Sequence, residues 1–313
     1  MELHEALLAV DDLLVDIVES EVLILEEASR HIISAGGKRI RPRVMFYSYL
    51  ASGGKDLSLA VPVAAALELV HTATLVHDDI NDHGRMRRGR VTINEKWGRT
   101  FALLTGDFLF TKVYELMAPY GDLNITFADA TVALVEGETL QAQAARDNTL
   151  TRDVYQKIVA KKTASLFRAA AMLGAQLADA DKHEIDTLGE YGFYLGLIFQ
   201  IVDDLLDLTG DPRLMGKAAG VDIAQGKGVA VAQSSGNGHS DGVAAVATTE
   251  QTDTDDPFLK FKQRLVEGGA IDEGRQMASA IASQAQMVLD RIPQSGSVDG
   301  LRDLISLVLE RDN

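Results

Sequence analysis

Two groups of aspartates with the same D-D-x-x-D spacing each follow an apolar segment of the chain. The first aspartate group is Asp78, Asp79 and Asp82, and the second is Asp203, Asp204 and Asp207. On a helix, residues at i and i+4 share a face, so the first and last aspartate of each group project together and repel each other. Carboxylates at the end of a buried helix are costly unless a cation compensates them, and Mg2+ prefers carboxylates completed by water and phosphate oxygens. One group would indicate a solvated helix end, but the pair predicts that all six aspartates form Mg2+ sites for a diphosphate.

Basic residues supply the complementary charge. Lys38 and Arg41 follow a glycine turn in GGKRIRP, and Arg87 and Arg88 come shortly after the first aspartate group in RMRRG. Arginine forks match the geometry of phosphate oxygens. Either patch alone is typical of ordinary surface charge. Because both accompany the aspartates in a chain that is poor in positive charge, they predict a diphosphate site.

Helices must position these residues. Apolar residues recur at three- and four-residue spacings from Leu3 to about Gln233, with glycine- and proline-containing breaks between the segments. Residues 234–257 are rich in Ser, Gly, Thr and Asp, which predicts a flexible surface insertion. Helical pattern resumes at Phe258. The sequence therefore predicts an all-α fold, one large antiparallel helix bundle formed by residues 1–313.

Composition excludes several classes of protein and of site. The chain has 313 residues, 46% of them hydrophobic, so it can bury a large core, and it has no cysteine, which excludes disulfides and thiolate metal sites. The net charge of -16 argues against nucleic-acid binding, and it indicates either an ordinary solvated surface or adaptation to a salt-rich cytoplasm. No apolar run reaches the roughly 20 residues of a spanning helix, and the acidic, amphipathic N-terminus is unlike a signal peptide. We expect a cytoplasmic protein without a transmembrane segment.

In their order along the chain, these motifs resemble those of the trans-isoprenyl diphosphate synthases, the family of farnesyl, geranylgeranyl and longer polyprenyl diphosphate synthases. The landmarks are GGKRIRP, HTATLVHDDIND, RMRRG, GDFLF, KKTASLF, FQIVDDLLDLTGD and GKAAGVDIAQGK. They cover nearly the whole chain, and two aspartate motifs with matching flanks are a specific signal. The resemblance implies an isoprenoid synthase fold with a central cavity, Mg2+ as cofactor and a homodimer. It also implies a prenyltransferase that joins isopentenyl diphosphate to allylic diphosphates.

The resemblance assigns roles to single residues. Mg2+ on the allylic diphosphate would be held by Asp78, Asp82 and Asp203, with Asp79, Asp204 and Asp207 completing the two groups. The same diphosphate would be bound by Arg87, Lys162 and Lys217. Isopentenyl diphosphate would occupy a separate, metal-free pocket formed by Lys38, Arg41, His71 and Arg88. Thr163 and Gln200 would lie beside the developing carbocation. Lys227 belongs to the same catalytic set, but its flanking sequence departs from the family pattern, which puts its usual role near the leaving group in doubt.

Product length in this family depends on the side chains four and five positions before the first aspartate. Here these are Thr74 and Ala73, both small, so the cavity floor should lie at least one helical turn deeper, toward Val70 and Leu67. One turn is about 5.4 Å, roughly the length of an isoprene unit. We expect a product of C20 or longer. The alternatives are a synthase that stops at C20 for membrane lipids and a non-catalytic regulatory subunit; a terpene cyclase shares the ionisation chemistry but needs no second diphosphate pocket.

Overall fold

The computed structural model of the protein describes residues 1–147, 149–209 and 269–311. The helices are α1 (Leu3–Ile17), α2 (Leu23–Ile33), α3 (Ile40–Ala51), α4 (Val61–Asn81), α5 (Ile93–Trp97), α6 (Arg99–Met117), α7 (Leu123–Asp147), α8 (Arg152–Val159), α9 (Ser165–Leu177), α10 (Lys182–Thr209), α11 (Ala270–Leu289) and α12 (Gly296–Leu309). Short 3-10 turns span Leu57–Leu59 and Ala118–Tyr120, and a π-helical segment, Ala160–Ala164, joins α8 to α9. The prediction of an all-α fold is confirmed.

A small antiparallel hairpin interrupts the helices after α4. Its strands are β1 (Met86–Arg87) and β2 (Arg90–Val91), paired so that Met86 lies opposite Val91 and Arg87 lies opposite Arg90. Arg88 and Gly89 form the turn, both with positive φ. The sequence patterns do not predict this hairpin, because each strand is too short to show an alternation of apolar and polar residues.

Hydroxyl side chains cap two of the helices near the hairpin and the π segment. Thr92 accepts a hydrogen bond from the Glu95 N–H at the start of α5, and Thr151 accepts one from the Val154 N–H at the start of α8. Each cap satisfies a backbone donor that has no partner within its helix and stabilises the helix start by about 1 kcal/mol. The caps therefore define where these helices begin.

The core lies among α3, α4, α9 and α10. Helix α4 packs against α3 and α6, α9 packs against α3 and α10, and α10 also packs against α11. Met45, Phe46, Leu69, Phe167 and Leu195 of these helices are fully buried. Burial of an apolar side chain of this size contributes about 1.5–3 kcal/mol. The C-terminal ends of α4 and α10, which carry the two aspartate groups, thus extend from a rigid scaffold.

Two glycines allow α7 and α10 to approach the π segment closely. A β-carbon on Gly137 of α7 would lie 2.4 Å from Lys162 N, and one on Gly196 of α10 would lie 2.6 Å from Ala164 Cα. Backbone atoms stand at both contacts, so a larger residue would push the helices apart. The segment that carries Lys162 and Thr163 is therefore tightly packed between α7 and α10. Such π-helical turns are rare and occur frequently at functional sites.

Several predictions concern residues outside the described ranges. They are the end of the first helical region at 210–233, the insertion at 234–257 and the return of helical pattern at Phe258. The terminal helices α11 and α12 are described, and both pack against α10, as the pattern near the end of the chain predicts. That residues 1–313 form a single domain stays a prediction. Among the helices that the structure describes, none is both long and apolar enough to cross a membrane.

Candidate active site

A cavity of about 570 Å³ lies between α4, the hairpin, α7, α8, the π segment and α10. Its wall contains most residues that the sequence singles out, namely Arg41, His71, Asp78, Asp79, Asp82, Arg87, Lys162, Thr163, Gln200, Asp203 and Asp204. Asp207 is buried outside the wall, whereas Lys38 and Arg88 are exposed beyond it. Lys217 and Lys227 fall outside the described residues. The fold therefore brings both aspartate groups and both basic segments to one cavity.

The first aspartate group, at the end of α4, contains one buried and two partly exposed carboxylates. The Asp78 side chain is 17% exposed and that of Asp79 only 4%. Arg87 Nε donates a hydrogen bond of 2.7 Å to Asp79 Oδ1. Burial raises the pKa of Asp79 to about 6, with Arg87 opposing that shift and the nearby Asp78 and Asp82 adding to it. All three aspartates line the cavity, but Asp79 is buried against Arg87, while Asp78 and Asp82 are partly exposed.

The second aspartate group, at the end of α10, shows the same division with different partners. The Asp203 side chain is 42% exposed and lies 3.6 Å from Arg311 Nη2. Asp204 is buried, and its two carboxylate oxygens accept hydrogen bonds of 2.6 Å from the Tyr155 hydroxyl and 2.9 Å from Gln200 Nε2. Both oxygens of Asp204 are therefore bonded to protein donors, and Asp203 is the carboxylate of this group that faces the cavity.

Lys162 links the first aspartate group to α7. Its Nζ donates a hydrogen bond of 2.9 Å to Glu138 Oε2 and lies 3.6 Å from Asp78 Oδ2. Burial opposes the charged form of Lys162, but Asp78, Glu138 and Asp82 outweigh it and raise the pKa of the ammonium above its ordinary value. Burial and the Asp78 charge raise the pKa of Glu138. Lys162 consequently stays protonated at neutral pH and is held at the cavity wall.

A chain of hydrogen bonds orients the amide of Gln200. Thr163 Oγ1 donates to Gln200 Oε1 over 2.7 Å, while Gln200 Nε2 donates to Asp204. Because a carboxylate only accepts, Asp204 determines which end of the amide carries the NH2 group. The Tyr155 hydroxyl completes the chain from the other side of Asp204. The chain places the oxygens of Gln200 and Thr163 at fixed positions in the cavity wall.

The basic part of the wall is built around Arg41 in the first turn of α3. Its guanidinium lies 4.6 Å from the Phe167 ring centroid and 5.8 Å from that of Phe199. Within the described part of the chain, Arg41 Nε is buried without a hydrogen-bond partner. Burial lowers the pKa of Arg41 to about 10, against the opposing charge of Glu68. A buried guanidinium with an unused donor is a prepared site for an anion.

His71 of α4 completes this basic part in its neutral form. Burial, together with the charges of Arg41, Arg88 and other nearby arginines, lowers the pKa of His71 well below its ordinary value. The imidazole is therefore uncharged at neutral pH, and it can donate one hydrogen bond to an anion.

The hairpin and the glycine turn before α3 form one unit. Arg88 donates a hydrogen bond to the Gly36 carbonyl. Arg90 Nη1 donates to Ser34 Oγ over 2.7 Å, and His31 Nε2 lies 2.7 Å from the Val91 carbonyl. These contacts bring the GGKRIRP and RMRRG segments together, as their predicted common role requires.

The polar residues Glu138, Tyr155 and Arg311 belong to the site but are not among the site residues that the sequence predicts. Tyr155 precedes Lys162 by seven residues, or two helical turns, which is a weak signal that the two side chains share a face. Glu138 directly follows Gly137, and a glycine inside a helix is a weak signal of a close contact at that point. Arg311 gives no local signal, because only the folded chain brings it to Asp203 and to 4.5 Å from the Phe199 ring.

The donors of the cavity suit a divalent cation that shares its coordination with a substrate. Among the described residues, no group of three or more His, Asp or Glu side chains could hold a metal ion by itself. Asp78 and Asp82 from α4 and Asp203 from α10 nevertheless line the same cavity. Mg2+ characteristically binds one or two carboxylates and takes its remaining ligands from water and substrate phosphates. The residues present fit such an ion and a phosphate-bearing substrate together.

Comparisons with known proteins agree with this chemistry over nearly the whole chain. A family model described as polyprenyl synthetase matches residues 22–251. Octaprenyl diphosphate synthase of Escherichia coli is 32% identical over 299 residues, which cover 94% of this chain and 92% of that protein. A polyprenyl synthase from Caulobacter crescentus, crystallised with calcium and isoprenyl diphosphate, has a TM-score of 0.92 at 33% identity, with 99% and 96% of the two chains covered. Geranylgeranyl pyrophosphate synthetase from Pyrococcus horikoshii Ot3 has a TM-score of 0.89 at 31% identity, with 99% and 97% covered.

Proposed function

The chain belongs to the polyprenyl synthetase family, and from this premise we propose that it condenses isopentenyl diphosphate with allylic diphosphates to form an all-trans polyprenyl diphosphate of C20 or longer. Family membership makes it a prenyltransferase and confirms the predicted family and the isoprenoid synthase fold. The observation that supports this reaction is that one cavity is lined both by Asp78, Asp82 and Asp203, here called the acidic wall, and by Arg41 and His71, here called the basic wall. The acidic wall fits a metal-bound diphosphate that leaves, and the basic wall fits a second diphosphate that stays.

In our proposal, Asp78, Asp82 and Asp203 hold Mg2+ at the acidic wall. When bound there with phosphate oxygens of the allylic substrate, Mg2+ would neutralise charge on the leaving diphosphate. The calcium and isoprenyl diphosphate crystallised with the Caulobacter crescentus protein support a divalent cation in such a site. Asp79 and Asp204 already accept hydrogen bonds from protein donors. The more exposed carboxylates of Asp78, Asp82 and Asp203 are therefore better placed to bind a metal ion.

Lys162 and Arg87 bind the same leaving group from the protein side. Lys162 carries a full charge beside Asp78, and Arg87 is held by Asp79 with its other N–H groups at the cavity wall. When the allylic C–O bond breaks, the diphosphate departs with the bonding electron pair. Fixed cations that face this developing charge stabilise the transition state more than the bound substrate.

The allylic carbon becomes a cation, which must be kept from water. Leu134, Leu150, Ile158 and Leu166 give the cavity an apolar wall that excludes water from the reacting carbon. Oxygen lone pairs of Gln200 and Thr163 stabilise the positive charge. The double bond of isopentenyl diphosphate supplies the electron pair of the new C–C bond. The adjacent carbon then loses a proton to the released diphosphate, which restores a double bond in the lengthened chain.

The diphosphate of isopentenyl diphosphate binds at the basic wall without a metal. Arg41 lines this wall with its charged guanidinium, and neutral His71 offers a ring N–H. Arg88 and Lys38 stand next to this wall on the hairpin and the glycine turn. Arginine retains its charge when buried, so a metal-free pocket can hold a diphosphate.

The length of the product depends on the side chains that close the cavity beside α4. Thr74 lines the cavity, whereas Ala73, Val70 and Leu67 are fully buried outside its wall. A small side chain at Thr74 supports a floor below this level and therefore a product of C20 or longer. A synthase that stops at C20 is the alternative, and the similar proteins include an octaprenyl diphosphate synthase and a geranylgeranyl pyrophosphate synthetase.

Mass spectrometry of the products tests the proposed reaction. The full chain is incubated with isopentenyl diphosphate and each allylic primer, with Mg2+ and at high salt. We expect a ladder of polyprenyl diphosphates that reaches C20 or beyond, with the end point giving the chain length. A folded protein that makes no elongated product would instead indicate the regulatory subunit. A cyclised product would indicate a terpene cyclase.

We also propose a homodimer, formed by helix faces that expose apolar side chains. Leu104 of α6 and Ile125, Val132 and Val135 of α7 are exposed by 47% to 62%. Glu138, also on α7, is not part of this apolar face, because it lines the cavity. Light scattering of the full chain measures the mass. A cytoplasmic location stays a prediction.

A further inference from the structure

The glycine turn before α3 is anchored by ion pairs that the reaction itself does not use. Arg39 Nη1 donates a hydrogen bond of 2.8 Å to Glu68 Oε1, and Arg39 Nε donates one of 2.7 Å to Asp11 Oδ1. Arg39 and Glu68 are both buried, with side chains 7% and 4% exposed, while that of Asp11 is 47% exposed. The turn is thereby tied to α4 through Glu68 and to α1 through Asp11.

The backbone of Arg39 needs such an anchor. It has φ 50° and ψ 41°, the left-handed conformation that residues with a β-carbon seldom adopt. Strained conformations of this kind persist where the surroundings determine them, and they concentrate at functional sites. Arg39 lies between Lys38 and Arg41, so its conformation decides the direction in which both neighbouring cations point.

Glu68 is also the buried counter-charge for the surrounding arginines. Its charge acts favourably on the guanidinium groups of Arg39, Arg41 and Arg88. It lies on α4 three residues before His71, one helical turn away. Removing one partner of a buried ion pair leaves the other charge without compensation, which displaces or destabilises it.

We propose that Glu68 is a positioning residue for the isopentenyl diphosphate pocket, which it prepares by holding Arg39 and hence the turn between Lys38 and Arg41. The inference rests on the function proposed above. A site whose cations are already in place binds its ligand without the cost of ordering them. Glu68 contacts Arg39 and does not line the cavity, so it acts on the substrate through the residues around it.

The direction in which the affinity for isopentenyl diphosphate changes when the Glu68 charge is lost distinguishes a positioning role from a purely electrostatic one. A carboxylate near a diphosphate repels it, so loss of the Glu68 charge alone would tighten the binding of isopentenyl diphosphate. Loss of positioning weakens that binding. The two views therefore predict opposite changes in one measured quantity.

Steady-state kinetics of the full-length E68Q variant test the proposal. We expect the KM for isopentenyl diphosphate to rise by about tenfold or more, since small displacements of binding groups have effects of this order. The KM for the allylic diphosphate and kcat should change less than about threefold. E190Q is the matched control, because Glu190 pairs with Arg291 away from the cavity, and it should leave all three constants unchanged. An unchanged or lower KM for isopentenyl diphosphate in E68Q would overturn the proposal.

A second variant and a binding experiment keep the test decisive. D11N removes the exposed partner of Arg39 and should raise the same KM by a smaller factor; if E68Q does not fold, an unchanged KM in D11N overturns the proposal. Calorimetry with isopentenyl diphosphate alone, without primer or metal, separates the two hypotheses. If the wild type makes no elongated product, the proposed function fails. If E68Q binds isopentenyl diphosphate as tightly as the wild type, the positioning role of Glu68 fails.

Discussion

The two aspartate groups share one spacing but are held by different kinds of partner. In the first, the buried Asp79 is paired with a charge, Arg87. In the second, the partners of the buried Asp204 within the described ranges include two neutral donors, the Tyr155 hydroxyl and the Gln200 amide. Adjacent residues on a helix point about 100° apart, so two consecutive aspartates cannot face one cavity equally. In each D-D pair of this chain, one carboxylate is therefore more exposed at the cavity, and the other is buried and accepts hydrogen bonds from protein donors.

The six aspartates that are predicted to bind Mg2+ differ in how they are placed at the cavity. Asp78, Asp82 and Asp203 face the cavity, as a metal role requires. Asp79 and Asp204 use carboxylate oxygens for protein donors, and Asp207 is buried outside the wall. The metal role of all six aspartates stays a prediction, and for Asp79, Asp204 and Asp207 a structural role competes with it.

Replacing the cavity-facing aspartate of the first group should have the largest effect. Asp78→Ala removes a proposed metal ligand, so kcat should fall more than about a thousandfold. The loss of the repulsion between Asp78 and Asp82 is offset by the loss of the contact with Lys162, so the Tm should change little. Asp79→Asn, the matched change at the buried position, should lower the Tm and reduce kcat less. Product assays with excess Mg2+ and thermal unfolding measure these quantities. Full activity of Asp78→Ala would remove the basis for the metal assignment.

Removing one of the neutral donors to Asp204, the Tyr155 hydroxyl, should have an intermediate effect on kcat. Tyr155→Phe leaves Asp204 with one donor fewer and loosens the orientation of Gln200. Hydrogen bonds to charged groups contribute about 1.5–3 kcal/mol, so kcat should fall roughly ten- to a hundredfold if the loss is felt in the transition state. Tyr191→Phe is the control, because that hydroxyl donates to the Leu301 carbonyl, away from the cavity. It should lower the Tm but not kcat, and equal losses of kcat in both variants would contradict the role of Tyr155.

The residues four positions before the two aspartate groups differ in size, which bears on the length of the product. Thr74 precedes Asp78, whereas the corresponding residue before Asp203 is Phe199, which lies beside Arg41 and Arg311. Thr74→Phe should close the cavity on the α4 side and shorten the main product by at least one isoprene unit, as mass spectrometry would show. Ala73→Phe is the control, since this fully buried residue lies outside the wall; it should overpack the core and lower the Tm. An unchanged product in Thr74→Phe would place the floor elsewhere.

The pH dependence of stability should show the smallest effect. Burial raises the pKa of Asp79 from 3.8 to about 6, so the folded chain takes up a proton that the unfolded chain has released. The contribution of Asp79 to stability is therefore greatest below about pH 4 and declines as the pH rises to about 6. The Tm of the metal-free wild type, relative to that of Asp79→Asn, should fall over this window and then level off. A Tm difference independent of pH would show that Asp79 is not protonated in the folded chain.

Much of this site is predictable from the sequence because its signals are local. The apolar periodicity of α4 and α10, the aspartate spacing and the two basic motifs all lie within short segments. The burial of Asp79 and Asp204 is less evident, because it depends on how each helix is rotated in the bundle. Arg311 and Glu68 could not be predicted from local pattern, since their partners lie far away in the sequence. The π segment escapes prediction because its residues also suit an ordinary α-helix.

The π segment has a consequence for protein engineering. From Arg152 to Leu177 the chain runs through α8, the π segment and α9 without a break. The i to i+5 bonding of a π turn amounts to one additional residue within an α-helix. Deleting a residue there would return the helix to regular phase and rotate one half against the other by about 100°. The hydrogen bond between Thr163 and Gln200 therefore depends on the exact number of residues in the π segment. We expect this helix to tolerate conservative substitutions far better than deletions or insertions of a single residue.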